Sequence, residues 1–93
     1  MNDSNIAILV DDGNGRIVIG TNRVNRDSMM GQILLYLMDP VGRMVETKEL
    51  AREVGSRDIG SMLTTLGNMV EAADLGYGIV RKNGYTSLQS TDQ

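Results

Sequence analysis

Few residues in this chain could act on a ligand or hold one. Its 93 residues include no His and no Cys. That removes the usual general base, the usual zinc ligands and any disulfide. Asp11-Asp12-Gly13-Asn14-Gly15 has the oxygen density of a calcium loop. It lacks the alternating ligand positions, however, and Asn22 or Arg23 stands where a bidentate glutamate belongs. Gly13-x-Gly15 and Gly76-x-Gly78 lead into strand patterns rather than helices, and no Gly-Lys-Ser/Thr occurs, so neither is a phosphate-cradling loop. No Ser or Thr has a base at hand, because Lys48 and Lys82 both sit in exposed-looking segments. Paired carboxylates occur only as neighbours on helix surfaces. The expectation is a protein that is not an enzyme, with no metal, no cofactor and no small-molecule substrate.

What remains is basic. Lys48 and Arg52 are four residues apart, which places them on one face of a helix. Arg81 and Lys82 immediately precede Asn83-Gly84, Arg43 lies in a loop, and Arg57 opens a helical pattern. These six bases are matched between residues 43 and 88 by six acids: Glu46, Glu49, Glu53, Asp58, Glu71 and Asp74. The whole chain carries a net charge of −3, unlike a generic nucleic-acid binder. Taken alone, the charges on the helices read as ordinary surface pairs worth a few tenths of a kcal/mol. Trp and Phe are absent and only Tyr36, Tyr77 and Tyr85 are aromatic, so stacking on single-stranded bases has little to work with. Asp3, with no base before the first apolar run, argues against a secretory signal. The long uncharged runs, Ser28 to Met38 and Ile59 to Val70, are too short to cross a bilayer. The expectation is a soluble, cytoplasmic single domain with no membrane partner, its Met start and polar tail being those of a whole protein.

The elements that must position these residues follow from the apolar pattern. Ile6 to Val10 and Arg16 to Gly20 are β-branched runs around the turn-rich segment 11–15, which predicts a hairpin. A short third strand over Arg23 to Asn25 would turn Val24 inward. Asp27 or Ser28 caps a helix running to about Met38, with Met30, Ile33, Leu34 and Leu37 on one face. Asp39-Pro40 stops it. Met29, Leu35, Tyr36 and Met38 lie off that face, so the helix needs a second cover. Either the N-terminal strands or a self-association surface through Met29, Leu35 and Tyr36 supplies it. Gly42 to Val45 reads as a turn into a short extended piece. Thr47 then caps a second helix over Lys48 to Val54, which Gly55 ends. Ser56 caps a third, with Ile59, Leu63, Leu66 and Val70 spaced for burial. Two helices joined by so short a turn have a helix-turn-helix arrangement. Gly78 to Lys82 and Tyr85 to Leu88 flank Asn83-Gly84, a strong type I′ hairpin signal. Gly60 and Gly67, seven apart on the third helix, share a face that invites a phosphate backbone or a partner helix to approach. Met62 and Met69 lie on its flank.

The order of sheet, helix, helix-turn-helix and hairpin resembles the OmpR/PhoB-type winged-helix effector domain of bacterial response regulators. The matching stretches are Ile33-Leu34-Leu35-Tyr36-Leu37, then Gly42 to Leu50, then Ile79-Val80-Arg81-Lys82-Asn83-Gly84-Tyr85. The resemblance covers roughly residues 6 to 88. It implies an α+β winged helix-turn-helix built as one domain over residues 1–93. N-terminal strands would occupy 6–25, three helices 27–72, a wing 78–88 and a frayed tail 89–93. Nothing resembles a receiver domain. The basic cluster that the family carries in its recognition helix is replaced by Thr64-Thr65-Leu66-Gly67-Asn68.

The function this implies is a small stand-alone transcription regulator that binds double-stranded DNA, weakly as a monomer. Arg43, Lys48, Arg52, Arg57, Arg81 and Lys82 would hold phosphates. Ser61, Thr64, Thr65 and Asn68 would face the groove, where Asn reads adenine and a Thr methyl touches thymine. Dimerisation or a protein partner would supply the missing affinity. The alternative is a winged-helix interaction module that has lost DNA binding.

Overall fold

The computed structural model describes residues 10, 11, 13–38 and 41–90. The expected strand over Ile6 to Leu9, the Asp39-Pro40 stop and the last three residues lie outside that set. Among the described residues, three helices and two three-stranded antiparallel sheets make a small α+β fold. The N-terminal sheet holds β1 (Val10–Asp11), β2 (Arg16–Ile19) and β3 (Asn22–Asn25), in that order. Asp11 pairs with Ile17, so it belongs to the strand rather than to the expected loop over 11–15. Val24 is buried as expected, and with Ile17 and Ile19 it gives the sheet one apolar face.

The first helix, α1 (Met29–Leu37), begins at Ser28, whose hydroxyl accepts from the Gly31 N–H at 3.1 Å. The connection from β3 is tight because Asn25 organises it. Its carbonyl receives the Ser28 N–H and the Ser28 hydroxyl, and its side-chain oxygen receives the Asp27 N–H. This turn presses backbone against the first turn of α1, and Gly31 is buried there. Ile33, Leu34 and Leu37 form the fully buried face. α1 packs on β3, on the second helix and on the C-terminal sheet. The N-terminal sheet is therefore the second cover that an all-round apolar helix requires.

β4 (Val45–Glu46) runs directly into α2 (Thr47–Val54). The expected Thr47 cap is not found: Glu46 occupies the capping position without a side-chain bond, and Thr47 is the first helical residue. The Thr47 hydroxyl is engaged instead by Thr86. Gly55 ends α2 in the left-handed conformation. Ser56 likewise does not cap α3 (Ile59–Ala72); Asp58 holds that position. The Ser56 hydroxyl accepts from the Asp58 N–H at 3.1 Å and lies 3.7 Å from Met62 Sδ. Leu63, Leu66 and Val70 are the buried stripe of α3, with Ile59 only half-buried.

β5 (Tyr77–Lys82) and β6 (Tyr85–Ser90) form the hairpin. Asn83 and Gly84 both have positive φ, 54° and 83°, as a type I′ turn demands. The ladder is longer than expected at the end away from the turn. Tyr77 is a buried strand residue, and Gln89 and Ser90 pair with Gly78 and Tyr77 rather than fraying. The C-terminal sheet has the order β4-β6-β5, with β5 at its edge. Residues from both sheets and all three helices share a single apolar core.

Candidate nucleic-acid interface

The turn between β5 and β6 is pinned to the start of α2. The Thr47 N–H donates to the Gly84 carbonyl at 2.9 Å. Beside this bond, Lys48, Ile59, Asn83 and Tyr85 line one shallow groove, and Arg81 and Lys82 line another with Thr47 and Tyr85. Lys48 and the Arg81-Lys82 pair thus border two adjoining grooves, which share Thr47, Asn83, Gly84 and Tyr85. Arg52 stands exposed one helical turn beyond Lys48.

The other two expected phosphate contacts lie elsewhere. Arg57 borders a groove with Met29 and Met62 at the α2–α3 connection. Arg43 stacks over the Tyr36 ring, 4.8 Å from its centroid, on the outer side of α1. Acidic residues also enter the picture. Glu46 lies in the groove that Lys48 lines, and Glu71 and Asp74 stand near the far end of α3.

Ser61, Thr64, Thr65 and Asn68 are all exposed on α3. Their helical spacing puts them on one face of the helix. Thr64 and Asn68 also line a cleft between α3 and β5, at the border of that face. The Thr64 hydroxyl donates to the Gly60 carbonyl at 3.0 Å, so its proton is already used within the helix. Arg81 Nη1 reaches that same hydroxyl at 3.4 Å and the Gly60 carbonyl at 3.5 Å. The guanidinium therefore lies across the start of α3 rather than projecting from the hairpin tip.

Gly60 and Gly67 do mark a close approach, but what approaches is β5. A Cβ on Gly67 would stand 3.9 Å from Ile79 Cβ, and one on Gly60 would stand 3.5 Å from Arg81 Nη2. The phosphate backbone or partner helix expected there is replaced by this chain's own hairpin. Among the expected self-association residues, Met29 is exposed, while Leu35 and Tyr36 are half-buried and pack against the core. Leu35 and Tyr36 share a shallow groove with Glu53 and Val54, separate from the one that Met29 lines.

Sequence reasoning missed Glu71 and Asp74 as neighbours of the cleft. Asp74 has a positive φ of 54°, which bends the chain back from α3 into β5. Asp74 and Gly76 signal a turn, but not that it brings Glu71 and Asp74 beside β5. Among the described residues, no cluster of acids could hold a metal ion, and no helix is long and apolar enough to cross a membrane. Compared with protein-family models, curated proteins and solved structures, the chain matches none.

Proposed function

We propose that the chain is a small winged helix-turn-helix protein of the OmpR/PhoB type, binding double-stranded DNA in the cytoplasm as a transcription regulator. The observation that carries the reading is that Lys48 and the Arg81-Lys82 pair border adjoining grooves on either side of the Asn83-Gly84 turn. The order of elements supports it too. Helix, short strand, two helices and a hairpin, with the short strand pairing the second hairpin strand, are the connections of a winged helix. In this reading α3 enters the major groove and the hairpin tip lies on the backbone. Lys48, Arg81 and Lys82 hold phosphates, with Arg52 beside them. Ser61, Thr65 and Asn68 supply neutral contacts to base edges.

So few bases on a chain of net charge −3 give weak binding as a monomer, so two copies would share a site. Titration of a labelled duplex across a salt series tests the reading. The logarithmic slope is roughly −0.9 for each phosphate neutralised, so three or four bases give about −3. Absence of binding at low salt would overturn it.

A second reading, a winged-helix interaction module without DNA binding, is favoured by one feature. Arg43 and Arg81, two of the six bases expected from the sequence to hold phosphates, already have partners on Tyr36, Gly60 and Thr64.

A further inference from the structure

The cleft between α3 and β5 has a volume of about 600 Å³ and is open along one side. Its acidic end, with Glu71 and Asp74, repels phosphate and cannot serve the DNA reading. Its floor is apolar, made by Leu63, Tyr77 and Ile79. Gly76 and Gly78 also border it, and with no side chains they present backbone.

That backbone belongs to an open sheet edge. β5 pairs only with β6, and no strand lies beyond it among the described residues. In a two-residue hairpin the closing pair, here Lys82 and Tyr85, exchanges both backbone hydrogen bonds. Alternation then turns the N–H and C=O groups of Arg81, Ile79 and Tyr77 outward. An open edge with apolar cover on one side is a template for another strand.

Charge sets what that strand must carry. Arg81 stands at one end of the cleft and Glu71 with Asp74 at the other. The bonds that Arg81 makes to Gly60 and Thr64, 3.5 and 3.4 Å, are long. A carboxylate would hold the guanidinium more strongly. Tyr77 and Arg81 are four strand residues apart, roughly 13 Å.

We propose that this cleft binds an extended peptide, added as a strand to the open edge of β5. The peptide places a Lys or Arg against Glu71 and Asp74, and an acidic residue four positions away against Arg81. The side chain between them covers Ile79. The cleft shares Arg81 and Asn68 with the DNA reading, but it is argued from the sheet edge and its test needs no DNA.

The probes are two peptides of opposite charge order, acetyl-Lys-Thr-Val-Thr-Glu-amide and acetyl-Glu-Thr-Val-Thr-Lys-amide. Each is added at millimolar concentration and low salt to the isotope-labelled protein. Amide hydrogen exchange is followed by NMR. One of the two orders should slow exchange at Tyr77, Ile79 and Arg81 about tenfold relative to free protein. The paired variant Glu71→Gln with Asp74→Asn should weaken binding of that peptide about tenfold. Both positions are exposed, and Asn tolerates the positive φ of residue 74, so the variant keeps its fold. Four results would each overturn the proposal. One is no slowing with either peptide. Another is protection at other amides. A third is equal binding to the neutralised variant. The fourth is protection of the same three amides on raising protein concentration alone, which would make a second copy the occupant.

Discussion

The hydroxyls of Thr47 and Thr86 lie 2.7 Å apart, tying the first turn of α2 to the middle strand of the C-terminal sheet. Thr86 is fully buried, whereas Thr47 is half-exposed. Thr47→Val leaves the Thr86 hydroxyl buried without its partner, a loss of about 1–3 kcal/mol. Thr86→Val costs less, because water reaches Thr47. The double variant should lose less than the sum of the two, a coupling readable from urea unfolding.

Ser87, next along β6, presents the opposite case. It is 1% exposed and its hydroxyl has no protein partner among the described residues. Ser87→Ala removes a polar atom that gains nothing on burial. The expected result is unchanged stability or a gain of up to about 1 kcal/mol. A clear loss in the same urea measurement would mean that the hydroxyl has a bonding role.

Gly31 is a position where helix propensity gives the wrong answer. Propensity alone favours Gly31→Ala by about 1 kcal/mol. A Cβ there would collide with the Asn25 carbonyl and come within 2.9 Å of Arg26 Cα. These are backbone atoms held by the Asn25 turn, so they cannot yield cheaply. Overpacking of this kind costs about 1–3 kcal/mol or more. Gly31→Ala should therefore lower the thermal midpoint, despite improving the helix locally.

These residues also show what the chain's own pattern could reveal. Asn83-Gly84, the Leu63-Leu66-Val70 stripe and the buried Val24 are legible because turn chemistry and periodicity are local properties. The capping positions differ from the expected Thr47 and Ser56 for two reasons. Thr47 finds a partner 39 residues away, and Ser56 stands two residues before the capping position, where its hydroxyl accepts from the Asp58 N–H. Gly31 carried no signal because its need comes from the Asn25 carbonyl, which meets it only after the chain reverses. The bases were legible as types and spacings. Which of them gather depends on where the hairpin tip lands against α2, a tertiary fact set by the Thr47–Gly84 bond. The stacking of Arg43 on Tyr36 was invisible for the same reason.

Gly67 contrasts with Gly31. A Cβ at Gly67 would stand 3.9 Å from Ile79 Cβ, an ordinary contact. The position lies inside α3, so Gly67→Ala should recover about 1 kcal/mol of helix propensity. For a domain of this size the thermal midpoint should rise by about 4 °C or more. A fall would mean that α3 sits closer to β5 in solution.

The grouping of bases predicts a graded mutational pattern in DNA binding. Lys48→Ala, Arg81→Ala and Lys82→Ala should each lower affinity and flatten the salt slope by about 1. Arg43→Ala should leave the slope unchanged, because its guanidinium lies on Tyr36. Its effect should fall on stability instead, about 0.5–1 kcal/mol for an exposed cation–π pair. Glu71→Gln should raise affinity without changing the slope, since it removes a repulsive carboxylate from the α3 surface but adds no phosphate contact. Equal losses at Arg43, Lys48, Arg81 and Lys82 would mean that duplex is held by diffuse charge, because only specific contact with the hairpin tip separates these residues.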